Sequence, residues 1–251
     1  MNKWIIEEIR EKREFSQLPE KDIEIAFRHF EKRQASEEEK IRLTKELLRK
    51  VFSAFVSQKL LSLKNKDEEW ILRKHISTRE RLSHYEEIYQ RIFKDYKEAS
   101  VIDLGAGING FSYKFFKRKI EYIAIESIGQ LVESMNFYFK KKKINGKAIH
   151  LSLFELEKVK EIISKEKKPR VVFLFKVIDS LEMLRRDYSK ELISEIVPIS
   201  DRTVVSFATK SLGSREKFKV KRNWIVNFIK KNFKVLDDFE FGGERYLVFS
   251  K

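Results

Sequence analysis

Apolar residues follow two rhythms along this chain. Before about residue 95 they recur at helical spacing, as in Ile23, Phe27 and Phe30, then Leu43, Leu47, Leu48, Val51 and Phe55, with charged residues between them. No strand alternation and no glycine interrupts that stretch, so residues 1–95 are expected to form a helical domain. Ser36 followed by Glu37, Glu38 and Glu39 marks a helix start, where a hydroxyl and acids meet the positive helix end. Pro19 marks the start of the helix before it. From about residue 100, short β-branched and aromatic runs alternate with amphipathic stretches. The runs are 101–104, 122–125, 148–151, 171–175, 203–207, 235–241 and 246–249. That alternation predicts an α/β domain over 96–251, a largely parallel sheet wound by helices, with a final hairpin around Gly242-Gly243. Nothing repeats internally, and no low-complexity linker divides the halves.

The first strand carries candidate chemistry. Val101-Ile102-Asp103-Leu104 ends in an acid beside a glycine turn, Gly105-Ala106-Gly107-Ile108-Asn109-Gly110. Such a turn lets backbone N–H groups approach a ligand that a Cβ would push away. About twenty residues on, the strand Tyr122-Ile123-Ala124-Ile125 ends in Glu126, where a carboxylate can accept both ribose hydroxyls. Together they point to a nucleoside cofactor. The spacing Gly105-x-Gly107-x-x-Gly110 also fits dinucleotide oxidoreductases, whereas an acid closing the first strand, as Asp103 does, fits S-adenosylmethionine enzymes. A glycine turn with no ligand is the third reading. Seven strands with a terminal hairpin suit a Rossmann-like methyltransferase sheet.

Charge narrows the partner. A formal net charge of +15 over 251 residues points toward a polyanion, with nucleic acid ahead of a membrane surface. No apolar stretch approaches the roughly 18 residues of a membrane span and no signal peptide opens the chain, so a cytoplasmic protein is expected. The absence of cysteine excludes disulfides and thiol chemistry, and four scattered histidines offer no metal-ligand spacing. Charged residues reach 37% with glycine and proline scarce, as in proteins from hot environments. Lys140-Lys141-Lys142-Lys143 follows Phe137-Tyr138-Phe139, while Arg10, Lys12, Arg13, Arg28, Lys32, Arg33, Arg49 and Lys50 load the helical half with positive charge. A basic helical module beside a catalytic sheet makes sense as an RNA-docking platform.

Further segments narrow the family. They are His75-Ile76-Ser77-Thr78-Arg79-Glu80-Arg81-Leu82 before the sheet, Phe175-Lys176-Val177-Ile178-Asp179-Ser180 after the fourth strand, and Val205 to Arg215 after the fifth. With the glycine loop, these resemble the Arm-type aminoglycoside-resistance 16S rRNA methyltransferases, which methylate guanine N7 in the ribosomal decoding region. The resemblance covers roughly residues 70–251. It implies S-adenosylmethionine as cofactor, small-subunit rRNA or the 30S subunit as partner, and a monomer.

The resemblance also implies site residues. The segment before the sheet, about 70–95, closes over the cofactor, and either Arg79 or Arg81 pairs with the methionine carboxylate, with His75 and Thr78 nearby. Alternatively, or in addition, Ser77 or Thr78 caps a helix that Glu80 completes. Asp103, Gly105, Ala106, Gly107, Glu126, Ser127, Leu153 and Phe175 complete the cofactor site. Lys176 and the loop 209–215 follow adjacent strands, where the target base is expected to enter. Lys210 and Arg215, with Lys140, Lys141 and Lys142, are the expected RNA contacts, and Lys176 and Asp179 the catalytic candidates.

The chain departs from the family at Asp179, near where a proline is usual, and at Gly110, where a proline is also common. A carboxylate at 179 suits an exocyclic amine such as cytosine N4, or else caps the following helix.

Overall fold

The structure is a computed structural model that describes residues 1–52, 67–209 and 222–251. Its first part is helical, as expected: α1 (Lys3–Arg10), α2 (Glu20–Glu31), α3 (Glu37–Phe52), α4 (Glu68–Lys74), α5 (Ile76–Arg81) and α6 (Tyr85–Ile92). Pro19 directly precedes α2, and Ser36 Oγ accepts the Glu39 N–H at 3.3 Å ahead of α3. The buried face of α3 is Ile41, Thr44, Leu48 and Val51, whereas Leu43 and Leu47 sit half-buried at its margin. A threonine enters that face because its hydroxyl donates back to Lys40 O at 2.8 Å. Phe55 lies outside the described residues.

Every expected strand is present, and each starts one or more residues earlier than expected: β1 (Glu98–Leu104), β2 (Lys119–Glu126), β3 (Gly146–His150), β4 (Arg170–Phe175), β5 (Arg202–Ala208), β6 (Lys234–Phe241) and β7 (Glu244–Ser250). Only the third also falls short, ending at His150, one residue before its expected end. Between and after them come a 3-10 segment (Asn109–Phe116), α7 (Gly129–Lys142), α8 (Leu156–Lys165), α9 (Ile178–Leu184), α10 (Tyr188–Ile196) and α11 (Asn223–Asn232). The strands form one seven-stranded sheet in the order β3-β2-β1-β4-β5-β7-β6, parallel except that β7 runs antiparallel to both neighbours. Gly242 and Gly243 turn the final hairpin with φ of +58° and +80°, the left-handed pair a tight two-residue connection demands.

β1 is buried from Ala99 to Leu104, as a central strand covered on both faces must be. The helical half does not stand apart from the sheet. One continuous apolar core runs from Ile5 and Ile23 to Leu247 and Phe249, and α2 and α3 both pack on α9.

Candidate active site

Strand order reverses between β1 and β4, so the loops leaving their carboxyl ends part and open a crevice. A cavity of about 580 Å³, counting its open mouth, fills that crevice. The glycine loop forms one wall. Gly105 and Gly107 have φ of +70° and +55°, which strains any residue with a Cβ. A Cβ on Gly105 would come within 2.6 Å of Val177 Cγ2, so this glycine lets the β1 and β4 loops touch. One on Gly107 would meet nothing within 4 Å, so that position faces open space. At Gly110 a Cβ would strike the Phe139 ring at 2.8 Å, which makes the third glycine a seat for α7.

Glu126 ties two loops together. Its Oε2 accepts the Gly107 N–H at 2.7 Å and its Oε1 the Ile128 N–H at 2.9 Å, and each oxygen keeps a lone pair. Burial pushes its pKa up to about 7 against the pull of those N–H groups, and the charge of Asp22 adds to the rise. Ser127, Leu153, Phe175 and Lys176 share the cavity wall with Glu126. Ala106 is buried in the loop, its N–H donated to Ile125 O at 3.2 Å, so it shapes the wall from behind. Asp103 lies deeper. Its Oδ2 accepts from Asn109 Nδ2 at 2.7 Å and from the Tyr122 hydroxyl, while Oδ1 has no partner among the described residues. Burial pushes its carboxyl above the usual range.

Beyond Phe175 lies a buried charge cluster. Arg81 Nε donates to both oxygens of Glu244, at 3.1 and 2.9 Å, and Nη1 donates to Asn109 Oδ1 at 3.3 Å. The guanidinium lies 5.0 Å from the Phe175 ring centroid. Lys176 Nζ pairs with Glu80 at 2.5 Å and Glu244 at 3.1 Å. Burial works against the charge on Glu244, yet Arg81 and Lys176 hold its carboxyl below the usual range. His75 is buried nearby, and burial together with Arg81 and Lys176 pushes its pKa down to about 3, so the ring stays neutral.

The expected residues therefore separate. Arg81 joins the cluster, whereas Arg79 is exposed and does not. The capping reading of this segment is corrected: His75 precedes α5, and Thr78 Oγ1 donates to Leu72 O and His75 O at 2.6 and 3.2 Å. Glu80 faces Lys176 instead of completing a box. Asp179 does not cap α9 either, because it lies inside that helix after Val177. Its carboxylate receives Arg222 Nε at 2.9 Å and Nη2 at 2.5 Å, and it is not in the cavity wall. Lys140, Lys141 and Lys142 are exposed on the last turn of α7, where Lys142 pairs with Glu68 at 3.3 Å. Lys210 and Arg215 lie outside the described residues.

Sequence reasoning missed Glu244 and Asn109, and it missed three wall residues from the helical half: Asp22, Val51 and Phe52. Asp22 reads locally as an ordinary first-turn acid. Val51 belongs to an apolar helix face, and the spacing that reveals the face does not say which element it meets. Among the described residues, no group of His, Asp and Glu is arranged to hold a metal ion, and no helix is long and apolar enough to cross a membrane.

Comparison with known proteins agrees with this architecture. A family model described as ribosomal RNA methyltransferase (FmrO) matches residues 30–225. A 16S rRNA (guanine(1405)-N(7))-methyltransferase of Micromonospora echinospora is 30% identical over 146 residues, covering 57% of this chain and 50% of that protein. Its counterpart from Proteus mirabilis is 25% identical over 194 residues, covering 72% and 64%. The chain thus spans about half to two thirds of the curated relatives it matches. Among solved structures, the 16S rRNA methyltransferase RmtF in complex with S-adenosyl-L-homocysteine aligns over 100% of both chains, with a TM-score of 0.79 and 19% identity.

Proposed function

The chain belongs to the ribosomal RNA methyltransferase (FmrO) family, and on that premise we propose that it methylates N7 of a guanine in small-subunit rRNA, using S-adenosylmethionine. The observation that carries this reading is one cavity at the carboxyl ends of β1 and β4 in which an open glycine, an end-of-strand carboxylate and apolar side chains converge. The residues fit that cofactor. Glu126 retains acceptor capacity for ribose hydroxyls, and Asp103 holds a buried oxygen without a partner among the described residues, which a ligand ammonium satisfies. Arg81, buried on α5 behind the cavity wall and paired with Glu244, is the arginine we assign to the carboxylate. Bound there, S-adenosylmethionine supplies an electrophilic sulfonium methyl. The protein's remaining task is to hold the target atom in line and exclude water.

Guanine N7 offers a bare lone pair, so no side chain has to take a proton. The engagement of Asp179 by Arg222, outside the cavity wall, supports N7 over an exocyclic amine that would need an acceptor. Lys176, at the end of β4, contacts the incoming base or a flanking phosphate. The helical half, residues 1–95, and the lysines ending α7 dock the RNA through phosphates.

The test is transfer of tritiated methyl from S-adenosylmethionine to unmodified 30S subunits and to naked 16S rRNA, followed by chain cleavage at 7-methylguanosine. A single cleavage site is expected. Absence of transfer to both substrates, or methyl found on an exocyclic amine, overturns the reading. Calorimetric binding of NAD or NADP without S-adenosylmethionine would make the chain an oxidoreductase instead.

A further inference from the structure

Asp22 stands in the first turn of α2 but is 1% exposed. Ser152 Oγ donates to its Oδ1 at 2.6 Å, and Oδ2 has no hydrogen-bond partner among the described residues. Burial pushes its pKa up to about 6, with the Ser152 and Ser127 hydroxyls drawing it back. A buried carboxylate with an unmatched oxygen costs stability. The helix does not need that cost, because a first-turn acid interacts with the helix dipole equally well from the surface. The bond to Ser152 accounts for one of the two oxygens, and the Ser127 hydroxyl, although near, makes no hydrogen bond to the other. A donor brought by a ligand accounts for the other.

The cavity indicates which donor. Asp22 and Glu126 are the two acids in its wall. Glu126 belongs to the glycine-loop side, bonded to Gly107. Asp22 reaches the same cavity from α2, close enough for its charge to act on Glu126, and is anchored through Ser152 next to Leu153 in a wall that also includes Ile128, Phe154, Leu181 and Leu184. Apolar walls suit the faces of a flat heterocycle, and an acceptor at their edge suits a donor on its rim. An exocyclic amine is such a donor, whereas an oxo group in its position would face the carboxylate lone pairs.

We propose that Asp22 accepts a hydrogen bond from the exocyclic amine of the cofactor's adenine, so that the helical half of the chain selects the nucleobase. This rests on reading the cavity as the S-adenosylmethionine site. Wild type, Asp22→Ala and Asp22→Asn are titrated calorimetrically with S-adenosylhomocysteine and with S-inosylhomocysteine, in which an oxo group replaces the amine. Wild type should prefer the adenosyl ligand. Asp22→Ala should lose about 10- to 100-fold in affinity for that ligand without any loss for the inosyl one. Asp22→Asn, whose amide both donates and accepts, should bring the two affinities close together, and it serves as the decisive variant if the alanine protein does not fold. Retention of the wild-type preference in Asp22→Asn overturns this inference alone. Wild type binding neither ligand overturns the reading of the cavity and this inference with it.

Discussion

Glu244→Ala tests the charge cluster behind the cavity. Glu244 is fully buried and receives Arg81 Nε at 2.9 and 3.1 Å, Lys176 Nζ at 3.1 Å and the Ser206 hydroxyl. Lys176 would still have Glu80 at 2.5 Å. Arg81, 3% exposed, would be left with the neutral Asn109 oxygen at 3.3 Å, a buried cation without a counter-charge. Breaking a buried pair from one side costs about 3–5 kcal/mol. For a chain of this size each kcal/mol moves the unfolding midpoint by about 2–4 °C, so a fall of roughly 6–20 °C is expected. The assay is thermal unfolding of wild type, Glu244→Ala, Arg81→Met and the double variant Arg81→Met/Glu244→Leu. The double variant leaves neither member of this pair unmatched, so its loss should be clearly smaller than the sum of the single losses. A midpoint for Glu244→Ala within about 2 °C of wild type would refute the reasoning.

Asp179→Ala takes a counter-charge from Arg222, whose side chain is buried although the acid is half exposed, so it should cost about 1–3 kcal/mol of stability while leaving methyl transfer at the wild-type rate. A large loss of transfer with cofactor binding intact would return Asp179 to the reaction. Lys140→Gln with Lys141→Gln should weaken binding to 16S rRNA and flatten its salt dependence by about 0.7–0.9 in log–log slope for each phosphate no longer neutralised. An unchanged slope would remove α7 from the docking surface. Glu126 and Asp22, with pKa values raised by burial to about 7 and about 6, contribute stability to the free protein that is full below their unfolded values and is lost as pH rises through the folded ones. His150 and Glu155 act on Asp22 in opposite senses, and Asp22 acts on Glu126. Ligand donors favour the ionised carboxylates, so S-adenosylhomocysteine should release protons on binding between about pH 6 and 7 and bind more tightly as pH rises through that range. Calorimetry in buffers of different ionisation enthalpy measures this, and a heat independent of buffer would contradict it.

The parts of the site visible in the sequence are those whose demands are local. Gly105 and Gly107 announce themselves because positive φ is a property of the residue's own backbone, and Glu126 because the strand before it sets its position. The choice between Arg79 and Arg81 is different. Two residues apart on a helix, they project to opposite sides, and only the partners that the fold brings to one side, Glu244 of β7 and Asn109, decide that Arg81 is buried and Arg79 exposed. The same holds for α3, whose buried stripe of Ile41, Leu48 and Val51 takes in Thr44, bonded back to Lys40, while Leu43 and Leu47 stay at its margin. Asp22 carries the same letter whether it faces water or a cavity, and the docking of α2 on α9 decides which.

Glu244 shows how topology brings a residue into a site that its position along the strand would exclude. In a parallel strand the first residue lies at the end of the sheet away from the ligand-binding crevice. β7 runs antiparallel between β5 and β6, so its first residue pairs with Ala208, the last residue of β5. That inversion carries Glu244 to the carboxyl ends of β4 and β5, where it accepts Ser206 of β5, Lys176 after β4 and Arg81 of α5. The tight turn at Gly242-Gly243 is what makes the inversion possible: its two left-handed residues reverse the chain directly after β6, and β7 enters at the active end. Lengthening that turn would therefore act on the cluster around Arg81 before it acted on the sheet, because Glu244 is the first residue past the reversal, while the pairs from Tyr246 onward are held by β5 and β6 on both sides.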